Sequence, residues 1–503
     1  MKAARFLIFS LFFLAVSADG FGQTASTASI AGEVTDANGA VVAGAAVKLA
    51  GKATGVGKTT ATDKAGRYVF AAVEPGAYDL TVTAQGFRTS VLTGVKAEIT
   101  KVATVDVSLQ VGVASEQVTV AATGEAQLQT SDSALGNVID ADRIKRLPTA
   151  NRQATDLLRL QPLVAPGGEV SGSRADQNTY TLDGIDVTDQ VGFRGAFFTV
   201  VPTPTESVEE FRSTVANPNA TFGRSAGAQT TLVTKRGRNS FFGSVYEYHQ
   251  NDNLNANSWT NNQRGIAKPP LIENRFGFSL GGPVWPTLKD KLFFFGNYEG
   301  RRVPGSTTIT RVVPTQSLRD GQLRFRDNAG NVVTINPKTF DPRNLGANPA
   351  ILAYIKKLPL PNAAGFGDGL NTGGFSANIP TTTSEDYGVL RLDYQINEKW
   401  SFEAKGALFR TIQATAGQVN LLELKGGSGV SQRPKNLTFG LTGTISSNFV
   451  NEARIGHSFD NFVLKVIAPS GAPSGFNIAV NLAQTPADNN PALALLDEAI
   501  DVD

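Results

Sequence analysis

The sequence predicts a mainly β fold. It comprises an N-terminal β-sandwich, a mixed α/β segment, and the first part of an antiparallel transmembrane β-barrel that is incomplete as written. Three observations predict it. Hydrophobic residues make up 41% of the 503 and charged residues only 18%, with 51 glycines and 30 phenylalanines, a composition suited to strands. Short strand-like segments divided by Gly, Asn-Gly and Pro-Gly turns fill the first part of the chain. From Asn239 onward, segments of about ten residues alternate apolar and polar, as outer-membrane strands do.

The composition also excludes function classes. A formal net charge of +2 is too small for a nucleic-acid partner or a polybasic membrane attachment. The chain has no cysteine, which removes disulfide scaffolds, thiolate metal sites and cysteine nucleophiles. Its two histidines, His249 and His457, have no ligand at metal-binding spacing, so neither a metal nor a cofactor is expected. They read most simply as barrel-wall residues. No Ser-His-Asp constellation is suggested, and an enzyme is not expected.

The N-terminus reads as an export signal over residues 1–23. Lys2 and Arg5 precede the apolar run Phe6 to Val16, too short to span a bilayer. Val16-Ser17-Ala18 offers a cleavage site, and a second lies near Gln23.

Residues 27–112 form the expected sandwich. About seven strands are marked out, with Tyr78, Leu80 and Val82 sharing a face. Gly51 to Thr59 imitates a phosphate-binding loop, but five residues rather than four separate Gly51 from Gly57 and no helix follows. A hairpin turn is the better reading. The runs "IAGEVTDANGAVVAGAAVKL", "TDKAGRYVFAAVEPGAYDLTVTAQGF" and "VDVSLQ" resemble the carboxypeptidase regulatory-like domain, a module without peptidase chemistry.

Residues 113–237 are mixed in character. Ile139 to Ile144 leads to Leu147-Pro148, Arg152 to Leu160 reads as a short amphipathic helix, and Val208 to Val215 as a strand. Asp183 to Asp189 fails the calcium-loop spacing, and Asp183-Gly184 reads as a hairpin turn. "RQATDLLRLQP", "QNTYTLDGIDV" and "SVEEFRSTVANPNATFGRSAGAQTTLVTKRG", in that order, resemble the plug of a TonB-dependent outer-membrane receptor of the Oar-like branch. The resemblance singles out Gln177, Asn178, Tyr180, Leu182, Asp183 and Gly184 as a plug motif. It implies a TonB box ahead of the plug, and Glu116, Gln117, Val118, Thr119 and Val120 occupy that position as an extended segment outside the sandwich. The same residues also read as the last strand or linker of the sandwich.

Residues 238–503 form the expected wall. Strands are placed near 240–250, 274–282, 291–302, 386–396, 400–411, 435–445 and 450–462. The gaps between them alternate long and short, with Val303 to Glu385 the longest and Asn397-Glu398-Lys399 among the shortest. Barrels sort loops this way, tight turns on the periplasmic side and long loops outside, whereas a sandwich does not. Trp259, Tyr298, Tyr394 and Trp400 suit interfacial girdles. "FFGSVYEYHQNDNLNANSW", "NRFGFSLGGPV" and "KDKLFFFGNYEGRR" resemble the first strands of Oar-like barrels. Seven strands do not make the even number expected of a single-chain bacterial barrel. The sequence ends at Asp501-Val502-Asp503 without a terminal aromatic strand. The expectation is a fragment that does not insert stably by itself.

The resemblance implies import of an unidentified scarce substrate across the outer membrane of a Gram-negative bacterium. The implied partners are TonB in the periplasm, outer-membrane lipid and an unknown extracellular ligand. A surface adhesion or assembly protein anchored by the barrel is the alternative.

Overall fold

A computed structural model of the chain describes residues 26–466, apart from 114–116, 122–132, 148, 150, 190–198, 219–221, 264, 286–287, 343, 345 and 447–448. The expected export signal, Glu116, Pro148 and the last residues therefore lie outside the described residues.

The sandwich has eight strands where about seven were expected: β1 (Ala28–Asp36), β2 (Ala46–Gly51), β3 (Gly57–Ala61), β4 (Arg67–Val73), β5 (Gly76–Thr83), β6 (Thr89–Ala97), β7 (Val102–Thr104) and β8 (Val107–Leu109). One sheet centres on β1, paired with β4, β7 and β8; the other runs β3-β2-β5-β6. Ile30, Val34, Val47, Leu49, Leu80 and Val82 meet between them, fully buried. Ala50 pairs with Gly57, so the imitation phosphate loop is the turn of a hairpin.

One difference concerns β9 (Gln117–Ala121). It is extended as expected, and of the two readings it follows the second, as a further strand of the sandwich rather than a segment outside it. It adds in parallel to the open edge of β6, Thr89 opposite Gln117 and Thr93 opposite Ala121. An unpaired edge presents a row of free backbone donors and acceptors, and the segment that follows the sandwich in sequence takes them up.

The next sheet has the order β10-β13-β14-β11-β12, from β10 (Leu135–Asp140), β11 (Thr179–Leu182), β12 (Ile185–Asp186), β13 (Val208–Ala216) and β14 (Gln229–Thr234). Helical turns at Ala141–Arg146 and Ala154–Leu160 cover it, the latter a 3-10 helix rather than an α-helix. Ile144, Leu157, Leu158, Tyr180, Leu182, Phe211 and Leu232 form its core.

The wall is a single antiparallel sheet containing β15 (Phe242–Asn251), β16 (Ile272–Pro283), β17 (Leu292–Pro314), β20 (Thr372–Gln395), β21 (Trp400–Asn420), β22 (Lys425–Gln432), β23 (Lys435–Ser446), β24 (Phe449–Phe459) and β25 (Phe462–Val466). Strands stand near every position expected. Three outcomes differ. The sheet has nine strands where seven were expected, β22 and β25 being the two additional ones. Val303 to Glu385 is not all loop: β17 and β20 stay paired from Val303 opposite Thr383 out to Pro314 opposite Thr372. These Thr- and Ser-rich extensions turn their few apolar residues, Ile309, Val313, Phe375 and Ile379, to the buried inner face, and the spacing of these is too sparse for a periodicity reading. Between them lie the hairpin β18 (Leu323–Arg326) and β19 (Val332–Ile335) and a helix over Pro349–Ile355. Trp259 sits in a short helix, Trp259–Gln263, of the segment joining β15 and β16, and not on the wall.

Exposure along the wall is inverted relative to the sandwich. Val245, Phe276, Phe278, Leu280, Leu390, Leu392, Leu408, Leu437, Leu441 and Ile455 face outward and exposed. Arg275, Asn297, Glu299, Arg391, Asp393, Lys405, Asn436 and Thr438 point inward and are buried. Exposed apolar side chains on one continuous face suit hydrocarbon, and the polar inner face suits a lumen. No helix among the described residues is long and apolar enough to cross a membrane. Among the described residues β15 and β24 each pair on one side only, so the wall is an open sheet.

Candidate functional site

The site is the junction where the middle sheet meets the inner face of the wall. It is built on the turn between β11 and β12. Asp183 and Gly184 both have positive φ, 50° and 79°, as a two-residue primed hairpin turn requires. The turn aims the Asp183 carboxylate sideways. It accepts from the Thr234 backbone N–H at 2.8 Å and the Thr234 hydroxyl at 2.7 Å, and from Lys405 Nζ and Arg391 Nη1 on the wall. The Asp183 carbonyl accepts from Arg454 Nη1 at 2.7 Å. Burial alone would push this carboxyl up, but Lys405, Arg391 and Thr234 hold it well below the usual carboxylate range.

Arg391, only 2% exposed at its side chain, is the hub. It donates to Asp393 at 2.8 Å, to Glu403 at 2.9 Å and to the Thr234 carbonyl at 3.0 Å. Glu403 in turn meets Arg454 at 2.7 Å. Glu74 reaches the same group from the sandwich, 3.6 Å from Arg391 and 3.8 Å from Arg236. Nearby, a side chain added at Gly456 on β24 would run into Ile185, its ideal Cβ only 2.6 Å from Ile185 Cγ1. A glycine therefore lets the hairpin approach the wall.

The sandwich closes onto the short-turn end of the wall. Asn239 donates from its backbone to the Ala53 carbonyl at 2.9 Å and from its side chain to the Thr54 carbonyl at 2.6 Å, and it also bonds Asp290. Thr27 donates to Glu452 at 3.3 Å. A small cavity lies between Leu49, Lys58 and Tyr78 on one side and Phe293, Glu403 and Thr442 on the other. The sandwich is also clamped to the middle sheet at one peptide. Glu210 accepts from the Ile99 N–H at 2.9 Å, and Arg212 donates to the Ile99 carbonyl at 2.9 Å. Burial pushes the Glu210 carboxyl up to about 8; the Ile99 bond opposes this, and nearby Glu98, Glu209 and Asp140 add to it.

The expected motif residues divide into two roles. Asn178 is buried; it bonds the Gly168 and Ala175 carbonyls and accepts from the Ala228 N–H. Gln177 accepts from the Arg174 N–H, and Tyr180 and Leu182 lie in the core. These hold the sheet together. Asp183 and Gly184 alone make the junction. Gln117, Val118, Thr119 and Val120 lie elsewhere, on the sandwich edge. Sequence reasoning missed Glu74, Arg236, Arg391, Glu403, Lys405 and Arg454. The signal was present for the four wall residues, which are charges at inward positions of alternating strands.

The wall matches the family model described as outer membrane beta barrel domain over residues 233–495. The sandwich matches the carboxypeptidase regulatory-like domain over residues 29–110. The chain is 27% identical over 330 residues to the TonB-dependent transporter Oar of Myxococcus xanthus, an alignment covering 62% of this chain and 29% of that protein. Among solved structures it is similar to the outer membrane transporter YddB of Escherichia coli, with a TM-score of 0.41, 13% identity and coverage of 65% of this chain and 39% of that one. It is also similar to a mutant of the ferric enterobactin receptor PfeA of Pseudomonas aeruginosa, with a TM-score of 0.40, 13% identity and coverage of 66% and 41%.

Proposed function

The chain belongs to the outer membrane β-barrel family, and from that premise we propose that it works as a TonB-dependent receptor importing an unidentified substrate. The observation that carries this reading is how the middle sheet is held. Its own core is apolar, yet it is tied to the wall through Asp183, Arg391, Lys405 and Arg454. Ionic groups are strong partners while dry, and water can replace them once the contact opens. A plug that must move without unfolding needs that combination.

In this reading Gln117 to Val120 is the segment that TonB takes hold of by strand addition. Its backbone already has strand geometry on the sandwich edge, so the exchange swaps one set of backbone hydrogen bonds for another. The test is binding of the full chain to the purified periplasmic domain of TonB. Val118→Pro removes a backbone donor and should abolish capture, and uptake should fail both in this variant and in cells lacking TonB. Equal capture of the Val118→Pro chain, or uptake that survives loss of TonB, would refute the proposal.

A further inference from the structure

Above the outward apolar band the wall carries a row of cations that the lumen junction does not use. On β20 the outward residues run Tyr394, Leu392, Leu390, Gly388 and then Asp386. At strand rise and barrel tilt this places Asp386 about 20 Å above the short-turn end. At that level Tyr298 donates to Asp386 at 2.8 Å and Arg302 at 2.6 Å, with Arg302 lying over the Phe276 ring. Arg410 on β21 is directly opposite Asp386. The junction of β22 and β23 beside β21 brings Arg433 and Lys435, since Gln432 pairs with Thr411 and Lys435 with Leu408. Arg410, Arg433 and Lys435 are all exposed.

The row has one carboxylate, Asp386, which Arg302 binds and Arg410 faces from the next strand, so one negative charge is shared among four cations. None of the ion pairs among the described residues involves Arg410, Arg433 or Lys435. Like charges placed side by side on one face of a sheet repel. Burying them against hydrocarbon would be costly, whereas an anion of the interface would relieve both costs. The outward residues above the row on β17 and β20 are Pro304, Ser306, Ser384 and Thr382, which are polar or small, with Ile412 on β21 the apolar exception. The row therefore stands where the hydrocarbon band ends.

We propose that Arg410, Arg433 and Lys435 form a binding site for the phosphate groups of a phosphorylated lipid of the outer leaflet. Arg302, oriented by Tyr298 and Asp386, borders the site. A guanidinium fork matches phosphate oxygens in pairs, and Lys435 adds a point charge. The site is independent of any transport role.

The full chain in detergent micelles is mixed with lipid A carrying its two phosphates, with the same lipid after phosphate removal, and with inorganic phosphate. Bound lipid is then read by native mass spectrometry. The phosphorylated lipid should be retained about tenfold better than the dephosphorylated one. The combined variant Arg410→Gln, Arg433→Gln, Lys435→Gln should lose that preference. Inorganic phosphate should compete no better than chloride at equal ionic strength. Asp386→Asn, which removes the repelling carboxylate, should raise retention by roughly threefold; this second variant keeps the test decisive if the combined variant does not fold. Equal retention of the two lipids, an unaffected combined variant, weaker binding by Asp386→Asn, or displacement by inorganic phosphate alone would overturn the proposal.

Discussion

The sandwich and the wall use the same strand period and sort it in opposite senses. In β2, Val47 and Leu49 are buried while Lys48 is exposed. In β20, Arg391 and Asp393 are buried while Leu390 and Leu392 are exposed. The backbone geometry is alike, so the difference lies in what each face meets. The sandwich packs two apolar faces together in water. The wall turns its apolar face to lipid and folds its polar face over an ionic interior. Alternation alone therefore says that a strand has two faces, not which one is inside.

The sharpest way to break this comparison is to remove the wall's polar hub. Arg391→Met leaves Asp183, Asp393 and Glu403 buried without their shared cation. It should destabilise the assembled chain by about 3–5 kcal/mol, read as a lowered melting temperature and easier proteolysis of the middle sheet. Were the wall an ordinary apolar interior, the same change would be neutral.

A smaller effect is expected on the outer face. Leu390→Arg should cost about 2–4 kcal/mol of stability in lipid bilayers, measured by denaturant titration in vesicles, and far less in detergent. On the sandwich, Lys48→Leu should stay within about 0.5 kcal/mol. Matching costs at the two positions would erase the distinction between the regions.

The clamp between sandwich and middle sheet sharpens the comparison through pH. The Glu210 carboxyl, held up to about 8 in the folded chain, is protonated there at pH values where the unfolded chain has lost the proton. The stabilisation is complete below about 4.5 and is lost as pH rises towards about 8. Protection of the Ile99 amide, its exchange measured against the unfolded peptide at the same pH, should therefore fall across that window by about tenfold or more, and Glu210→Gln should flatten the dependence of that protection. A wild-type profile as flat as the variant's would remove Glu210 from the clamp.

Much of the fold was legible before any coordinates. Turn chemistry marked the Asp183-Gly184 hairpin, because few residue pairs adopt positive φ twice in succession. The sorting of short and long connections marked the wall strands, because Asn397 to Lys399 is too short for anything but a tight turn. The paired extensions beyond Val303 and before Glu385 were not legible, since Thr and Ser carry no periodic signal outside the hydrocarbon. Nor was the partner of Gln117 to Val120. An extended segment offers the same donors and acceptors to any free edge, and only proximity to β6 selects one.

By itself the sequence determined much of the local structure: where most strands run and which of their residues share a face. The tertiary structure alone decided the junction. Glu74, Asp183, Arg391, Lys405 and Arg454 are far apart in the chain, and each is unremarkable in its own segment. A buried charge persists only where partners from other elements neutralise it, and that condition is met by three-dimensional assembly, not by any stretch of sequence.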